Sequence, residues 1–241
     1  MKIALLLGSF NPVHLGHIKI AQTVVDKKLA QQTWLVVSPQ NPLKNQSELA
    51  DFNHRANMAE IAVKNSTNVE VCLVEKDMTT PSYTINTIQK LNEQYPQHEF
   101  FILCGSDIVA QLDKWHRIDE LKKLVEFVVY PRGDNNQPHN NAFDGAQLLE
   151  ISSTKLRNAL VYSELPTGVY EYIKENNLYA NESADELYNN GRDFYANGDY
   201  GKAINAFKNA LEVDPSYTKA TEMLSMVNEI LAYRHTDIYN P

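Results

Sequence analysis

The chain of 241 residues carries 43% hydrophobic residues and a formal net charge of −8 at pH 7, values typical of a globular protein with one sizeable domain and a smaller one. Acidic residues outnumber basic ones, so the chain lacks the excess of positive charge that is typical of nucleic-acid-binding proteins. No apolar run approaches the roughly 18 residues that a membrane span needs. No secretory or lipidation signal is visible either, so we expect a cytoplasmic protein that binds neither nucleic acid nor membrane.

Apolar runs of strand length alternate with stretches of helical period over the first 130 residues. The strands are predicted at residues 2–7, 34–37, 69–73, 100–103 and 125–130, the helices at 15–29, 51–64 and 83–94, and a helical region around 108–123. This succession predicts parallel strands joined by crossover helices, which is the doubly wound, Rossmann-like α/β fold class. Ligands bind beyond the carboxyl ends of such strands, so functional residues are expected in the segments that directly follow them. Those segments are 8–17, 38–44, 105–107 and 131–133.

The two cysteines and the Asn-rich segment 134–145 are predicted to have structural rather than catalytic roles. Cys72 and Cys104 stand in strand-like runs without CxxC spacing, which indicates reduced core residues rather than a disulfide framework or a thiolate metal site. The polar, Asn-rich segment 134–145 has no period and is predicted to be an exposed surface loop, with a mobile lid as the alternative.

The sequence pattern changes after residue 183. Large, small and turn-forming residues then recur at positions typical of the 34-residue tetratricopeptide repeat. They are Leu187, Gly191, Phe194, Ala203, Phe207, Ala210 and Pro215. A third amphipathic stretch over 220–231 is expected to cap this helix pair. We therefore predict an α/β domain at 1–182 and an all-helical module at 183–241. Because one repeat rarely buries enough surface to stand alone, the module should contact the first domain, form a homo-oligomer or bind a protein partner.

The segment GSFNPVHLGHIKIAQ follows the first strand and opens the first helix. Gly8 and Ser9 allow backbone N–H groups to approach an anion at the positive end of that helix, which predicts a phosphate site. Neither a GxGxxG fingerprint nor a GxxxxGK[ST] loop is present, which argues against a nicotinamide-dependent dehydrogenase and a P-loop kinase. Instead, His14 and His17 lie on the first helical turn, where both imidazoles can face one ligand. An isolated pair would be better explained as ordinary loop or core histidines, and a metal site lacks a carboxylate or thiolate partner.

The order of strand, glycine, proline, HxGH and helix resembles the signature of the HxGH nucleotidyltransferase superfamily. This resemblance implies that His14 and His17 donate hydrogen bonds to the phosphates of a nucleoside triphosphate. It also implies that Gly8, Ser9 and Phe10 belong to the ATP-binding loop. No residue of the chain is predicted to ligate a metal, and Mg²⁺ is expected as an ion bound through substrate phosphates.

The segment ISSTKLR provides a second predicted phosphate-binding element. Its serines can cap a new helix, its threonine adds a hydroxyl group, and Arg157 lies one turn along, where its guanidinium can reach phosphate oxygens. A bare SxxR would be only a capped helix, but beside the first motif it resembles the ISSTxxR element of the same superfamily, which grips the β- and γ-phosphates. The residues so implied are Ile151, Ser152, Ser153 and Thr154 for ATP binding and Arg157 for catalysis.

Further motifs over about residues 1–180 resemble bacterial nicotinate-mononucleotide adenylyltransferase. They are Ser82-Tyr83-Thr84 ahead of a helix, Gly105-Ser106-Asp107 after a strand, Lys114-Trp115 and the closing segment 166–179. The resemblance implies that Trp115 stacks on a pyridine ring and that Tyr83 and Thr84 present backbone groups to the nicotinate carboxylate. It places Gly105 and Asp107 at the ATP site, with the aspartate near ribose hydroxyls. Structural alternatives are a half-buried tryptophan, the opening of a helix and a helix N-cap.

The chain departs from the family pattern in two places. A Pro-Pro-His-Lys-like segment appears here as NPLK, so Lys44 can still meet a phosphate whereas Leu43 cannot replace the histidine. Asn11 stands where the superfamily commonly has aspartate, and it keeps a polar side chain. Arg55 and Arg132 match family positions only loosely, and a solvated or structural role is the preferred interpretation of both.

The resemblance implies a reaction of ATP with nicotinate mononucleotide that gives deamido-NAD and pyrophosphate. The acceptor phosphate is already anionic at neutral pH, so no general base is needed, and alignment and charge stabilisation should supply catalysis. The expected catalytic residues are His14, His17, Lys44 and Arg157. Two alternatives stay open at this point. They are a phosphopantetheine adenylyltransferase and an inactive α/β adaptor whose helical repeat recruits a partner.

Overall fold

A computed structural model describes residues 1–40, 49–109, 111–131, 151–158, 162–179 and 184–236. The chain divides into two compact units, one formed by Met1–Arg157 with Val161–Tyr179 and the other by Ala180–Pro241 with Asn158–Leu160. Within the described part of the chain, no helix is long and apolar enough to cross a membrane. The predicted loop at 134–145 lies outside the described residues.

The first unit contains a five-stranded sheet in the order β3-β2-β1-β4-β5. The strands are β1 (Lys2–Gly8), β2 (Gln32–Val37), β3 (Val69–Cys72), β4 (Glu99–Gly105) and β5 (Glu126–Tyr130). Every neighbouring pair is parallel. The chain moves outward from β1 to β3 and then returns to the other side of β1, so the strand order reverses between β1 and β4. This confirms the doubly wound α/β prediction and locates the crevice where such sheets bind ligands.

Ten helices belong to the described residues. They are α1 (Leu15–Asp26), α2 (Phe52–Val63), α3 (Thr84–Gln94), α4 (Ser106–Val109), α5 (Ile118–Leu124), α6 (Ser153–Asn158), α7 (Val169–Glu175), α8 (Ala184–Ala196), α9 (Tyr200–Val213) and α10 (Thr218–Thr236). The helical region expected around 108–123 is present, but it is interrupted. That stretch contains the end of α4, a 3₁₀ turn at Leu112–Lys114 and α5, because Trp115 is extended and Arg117 takes a left-handed conformation at φ 54°.

The sheet is buried on both faces, as crossover helices require. Ile3 and Leu5 of β1 belong to a cluster completed by apolar residues of α3 and α5, whereas Ala4 and Leu6, which point to the opposite face, are buried as well. Both cysteines are free thiols, and Cys104 is a buried member of the first cluster, as the sequence indicated. Burial raises the pKa of Cys104 to about 12, so its thiol stays protonated near neutral pH.

The second unit is a bundle of α8, α9 and α10 around small and aromatic residues. Its buried members are Ala184, Ala203, Phe207, Ala210, Ala220 and Val227. Gly191 of α8 faces Phe207 of α9 so closely that an added Cβ would lie 2.5 Å from the ring. The absence of a side chain at Gly191 therefore allows the two helices to pack together, as the repeat pattern predicted.

We expect Gly191→Ala to destabilise the helical unit by about 1–3 kcal/mol, the usual cost of overpacking a core. The matched control is Gly201→Ala in α9, where a new Cβ meets nothing within 4 Å, so that better helix propensity should stabilise slightly. The chain has two tryptophans, Trp34 and Trp115, both in the first unit. Urea denaturation followed by circular dichroism and by tryptophan fluorescence therefore separates the units. Equal effects of the two substitutions would contradict the prediction.

Candidate functional site

A pocket of about 400 Å³ lies beyond the carboxyl ends of β1 and β4, where the strand order reverses. Many of the residues predicted from the sequence line it. They are Gly8, Ser9, Phe10, His17, Tyr83, Thr84, Gly105, Trp115 and Ser153. The structure thus brings residues from the loop after β1, the start of α3, the loops after β4 and the start of α6 to one cavity.

The two histidines of the HxGH motif lie at the start of α1. Their rings stack with centroids 3.7 Å apart and an interplanar angle of 25°, and His14 is 3% exposed. The backbone N–H of His14 donates a hydrogen bond to Nδ1 of His17 over 3.2 Å. Because Nδ1 accepts this bond, the proton of a neutral His17 ring resides on Nε2. His17 thereby offers an N–H donor in the pocket that it lines.

Gly8 and Phe10 line the pocket next to His17. A Cβ at Gly8 would lie 3.0 Å from the ring of Phe10, so the phenyl group occupies the space that a side chain at this position would need. The same ring packs edge-on against His17 with centroids 5.0 Å apart. Beside them, Oγ of Ser9 is buried and has no hydrogen-bond partner among the described residues. A buried hydroxyl group at a pocket wall is suited to a polar ligand.

The start of α6 is hydrogen-bonded to the loop that precedes α1. Oγ of Ser153 donates to the carbonyl of Pro12 over 3.0 Å, and Nη1 of Arg157 donates to the carbonyl of Asn11 over 3.0 Å. The Asn11 side chain accepts from the backbone N–H of Ala50 and from the hydroxyl of Tyr179. The two predicted phosphate-binding motifs are therefore joined through Asn11 and Pro12. The pairing of these motifs was predicted; the part played by Tyr179 was not.

Aromatic residues also line the pocket. Tyr83 is the N-cap of α3 and packs against His116 with centroids 4.4 Å apart. Trp115 lines the same cavity and contacts Phe127 edge-on at 6.2 Å. No side chain caps α3, so its first backbone N–H groups are available to an anion near Thr84.

Arg55 of α2 matched the family pattern only loosely, and a solvated or structural role was predicted for it. It is 1% exposed, and its guanidinium donates to four backbone carbonyls, those of Ser9, Ser38, Pro39 and Ala50. Burial lowers the pKa of Arg55, an effect opposed by Tyr179 and Asp51. The four bonds join the loop after β1 to the loop after β2. This confirms the structural interpretation of Arg55; Arg132 lies outside the described residues.

Some predicted site residues are not part of the pocket wall. They are His14, Asp107, Ile151, Ser152, Thr154 and Arg157. Asp107 lies in the first turn of α4, one residue after the helix begins. Lys44 lies outside the described residues. Among the residues that the structure describes, no group of three or more His, Cys, Asp and Glu side chains could hold a metal ion.

Residues 5–159 match the sequence profile of the family described as cytidylyltransferase-like. The chain belongs to the cytidylyltransferase-like family. A probable nicotinate-nucleotide adenylyltransferase of Flavobacterium johnsoniae is 36% identical over 192 residues, which cover 74% of this chain and 99% of that protein. One from Bacteroides thetaiotaomicron is 34% identical over 185 residues, 73% of this chain and 92% of the relative. The chain is accordingly an enzyme of the nucleotidyltransferase class.

Solved structures of this family share the fold. The nicotinic acid mononucleotide adenylyltransferase of Plasmodium falciparum, in complex with NaAD, matches with a TM-score of 0.64 and 21% identity over 74% of this chain and 97% of that one. The helical unit matches a second family, because residues 184–217 fit the profile of the tetratricopeptide repeat. Both resemblances drawn from the sequence motifs are confirmed.

Proposed function

We propose that this cytidylyltransferase-like enzyme transfers the adenylyl group of ATP to nicotinate mononucleotide, giving deamido-NAD and pyrophosphate in NAD biosynthesis. The observation that carries the proposal is the single pocket with two unlike ends. We name the part lined by His17 and Ser9 the triphosphate end, and the part lined by Trp115 and the start of α3 the acceptor end. A polyanion and an aromatic acceptor can thus lie side by side. Relatives with 31–38% identity support this assignment by their names.

The end with His17 suits the triphosphate. Donation from Nε2 of His17 to a phosphate oxygen would stabilise the charge that grows as pyrophosphate leaves, a contribution of about 3–4 kcal/mol for a well-placed donor. His14 holds the neighbouring ring by stacking and through its backbone N–H. Arg157 and Lys44 are proposed to add positive charge at the same end. The phosphate of the acceptor is itself the nucleophile, so the residues need only align and stabilise charge.

A Mg²⁺ ion fits this site as a ligand of the substrates. The described residues near the triphosphate end are histidines and hydroxyl groups rather than a cluster of carboxylates, so the ion would take most of its oxygen ligands from phosphates and water, as Mg²⁺ commonly does. When bound, it would neutralise phosphate charge. Asp107, Ile151, Ser152 and Thr154 keep their proposed roles in holding ATP.

The proposed function is tested by pyrophosphate release from ATP with each candidate acceptor. Nicotinate mononucleotide should give turnover, and nicotinamide mononucleotide in parallel measures the preference between the two pyridines. Turnover with phosphopantetheine instead would reassign the acceptor. No turnover with any of the three would favour an inactive adaptor. The cytoplasmic location and a partner or second copy bound through residues 184–241 stay predictions.

We expect Trp115→Ala to raise the KM for nicotinate mononucleotide by about 3- to 10-fold, because a stacked aromatic pair contributes about 0.5–1.5 kcal/mol. The KM for ATP should change less than about twofold, since Trp115 lies at the other end of the pocket from His17. Trp115→Phe keeps a ring and should recover most of the affinity. Steady-state kinetics with each substrate varied in turn provide the measurement, and a parallel rise of both KM values would argue against stacking on the acceptor.

A further inference from the structure

Glu75 is a buried carboxylate at the pocket wall to which the proposed reaction assigns no role. It follows β3, lines the pocket and is 2% exposed. Burial raises the pKa of Glu75, and the hydroxyl groups of Ser82, Thr87 and Ser38 act in the opposite direction. A buried carboxylate is costly unless hydrogen bonds stabilise it, and here the hydroxyl of Thr87 donates to it.

The hydroxyl groups around Glu75 belong to the segments that build the acceptor end. Oγ1 of Thr87, in α3, donates to Oε1 of Glu75 over 2.7 Å. The hydroxyls of Ser38 and Ser82 lie 2.9 Å apart, so they join the loop after β2 to the residue that precedes Tyr83. The carboxylate is thus hydrogen-bonded to α3 through Thr87, and the linked hydroxyls of Ser38 and Ser82 lie near it. Its Oε2 atom is buried without a hydrogen-bond partner among the described residues.

The same groups hold the backbone at the start of α3. Oγ1 of Thr87 also lies 3.4 Å from the carbonyl of Tyr83, the N-cap residue. The backbone N–H of Ser82 donates to the carbonyl of Gln40 over 3.2 Å, and its hydroxyl reaches that carbonyl at 3.4 Å. The segment from Ser82 to Thr87 is therefore hydrogen-bonded to Gln40 through its first residue and to Glu75 through its last. Two residues of this segment, Tyr83 and Thr84, line the pocket.

We propose that Glu75 is a positioning residue that fixes the first turn of α3, and that through this turn it sets the affinity of the enzyme for its acceptor. The consequence for the acceptor rests on the proposed function, whereas the ordering of the turn does not. Glu75 acts through Thr87 rather than by contact with the reacting atoms. The triphosphate end should be insensitive to it, because none of the described residues at that end is hydrogen-bonded to the carboxylate.

The test uses two matched threonines of the full-length protein. Thr87→Val removes the donor to Glu75, and Thr33→Val removes the hydroxyl that donates to the carbonyl of Ala21 over 3.0 Å. Both threonines are fully buried, but Thr33 lies near the amino end of β2, away from the pocket. The two variants therefore lose similar hydrogen bonds at different places. Glu75→Gln completes the set, and Thr87→Ser restores the hydroxyl.

Thr87→Val and Glu75→Gln should each raise the acceptor KM by about 3- to 10-fold, the range expected when one typical hydrogen bond is lost or weakened. The ATP KM should stay within about twofold. Amide hydrogen exchange in residues 82–87 should become about tenfold faster in both. Thr33→Val should lower the melting temperature comparably without changing the acceptor KM or that exchange, and Thr87→Ser should return the acceptor KM to within about twofold of the unaltered enzyme.

Three outcomes would overturn the proposal. They are equal acceptor KM values in Thr87→Val and Thr33→Val, a parallel rise of the ATP and acceptor KM values, and unchanged exchange over residues 82–87. If the unaltered protein releases no pyrophosphate with nicotinate mononucleotide, the proposed function fails by itself. The exchange measurement needs no substrate, and it then decides whether Glu75 orders the start of α3.

Discussion

His17→Ala should lower kcat with ATP and nicotinate mononucleotide by about 10²- to 10³-fold, which is the usual effect of removing one donor that stabilises transition-state charge. The bond from the His14 backbone to Nδ1 of His17 orients the ring and leaves Nε2 to donate. This donor is worth more in the transition state than in the ground state, so kcat should fall more than KM rises. Rapid-quench or coupled pyrophosphate assays at saturating substrate give the value.

Folding should change far less than turnover in this variant. His17 lies at a pocket wall, so its removal leaves no large cavity in the sheet core, and the urea midpoint from tryptophan fluorescence should move only slightly. His54→Ala is the matched control, because His54 is hydrogen-bonded to the hydroxyl of Tyr172 on another part of the first unit. We expect His54→Ala to keep kcat within about twofold. If His17→Ala retained full kcat, the assignment of the phosphate site would be wrong.

Arg55→Ala should lower the free energy of unfolding of the first unit by about 3–5 kcal/mol, the loss typical of breaking a buried, hydrogen-bonded charge network. Four backbone carbonyls lose their donor at once, and two loops that border the pocket are no longer joined. Activity should therefore fall together with stability. Urea denaturation followed by tryptophan fluorescence measures the change, because both tryptophans lie in the same unit as Arg55.

Arg55→Lys should recover little of this stability. A lysine ammonium is a single point of donation, whereas the planar guanidinium of Arg55 directs separate N–H groups to carbonyls of different loops. Arg117→Lys is the control, because Arg117 is exposed and forms a surface ion pair with Glu120, and such pairs contribute little. Similar urea midpoints for Arg55→Lys and Arg117→Lys would show that only the charge of Arg55 matters.

The alternation of strands and helices could be predicted from the sequence because burial follows a local period. A strand buried on both faces is a short apolar run, and an amphipathic helix repeats every three to four residues. The loop after β1 could be predicted for the same reason, since its glycine, its two histidines and the helix start are adjacent in sequence. The repeat at 184–217 is local as well, because Gly191 and Phe207 meet within one helix pair.

The sequence pattern predicted a helical region here but not its division into α4 and α5, because the cause of the break is not local. The apolar spacing over 108–123 suits a helix, but Trp115 leaves the helical conformation and lines the pocket beside β5. Tertiary packing outweighs a propensity that differs by only a few tenths of a kcal/mol per residue. The resemblance to a known family placed Trp115 at the acceptor without predicting how the backbone brings it there.

The sequence by itself determined the parallel α/β sheet, the helical repeat and the two motifs that are predicted to bind phosphate, because each of these depends on residues that are close together in sequence. Only the tertiary structure decided how these motifs form one site. Asn11 meets Tyr179 across 168 residues and Arg157 across 146, Arg55 bonds to Ser9 across 46, and Glu75 accepts from Thr87 across 12. Hydrogen bonds between distant residues depend on the tertiary fold, and the local periodicity of the sequence does not predict which distant residues meet.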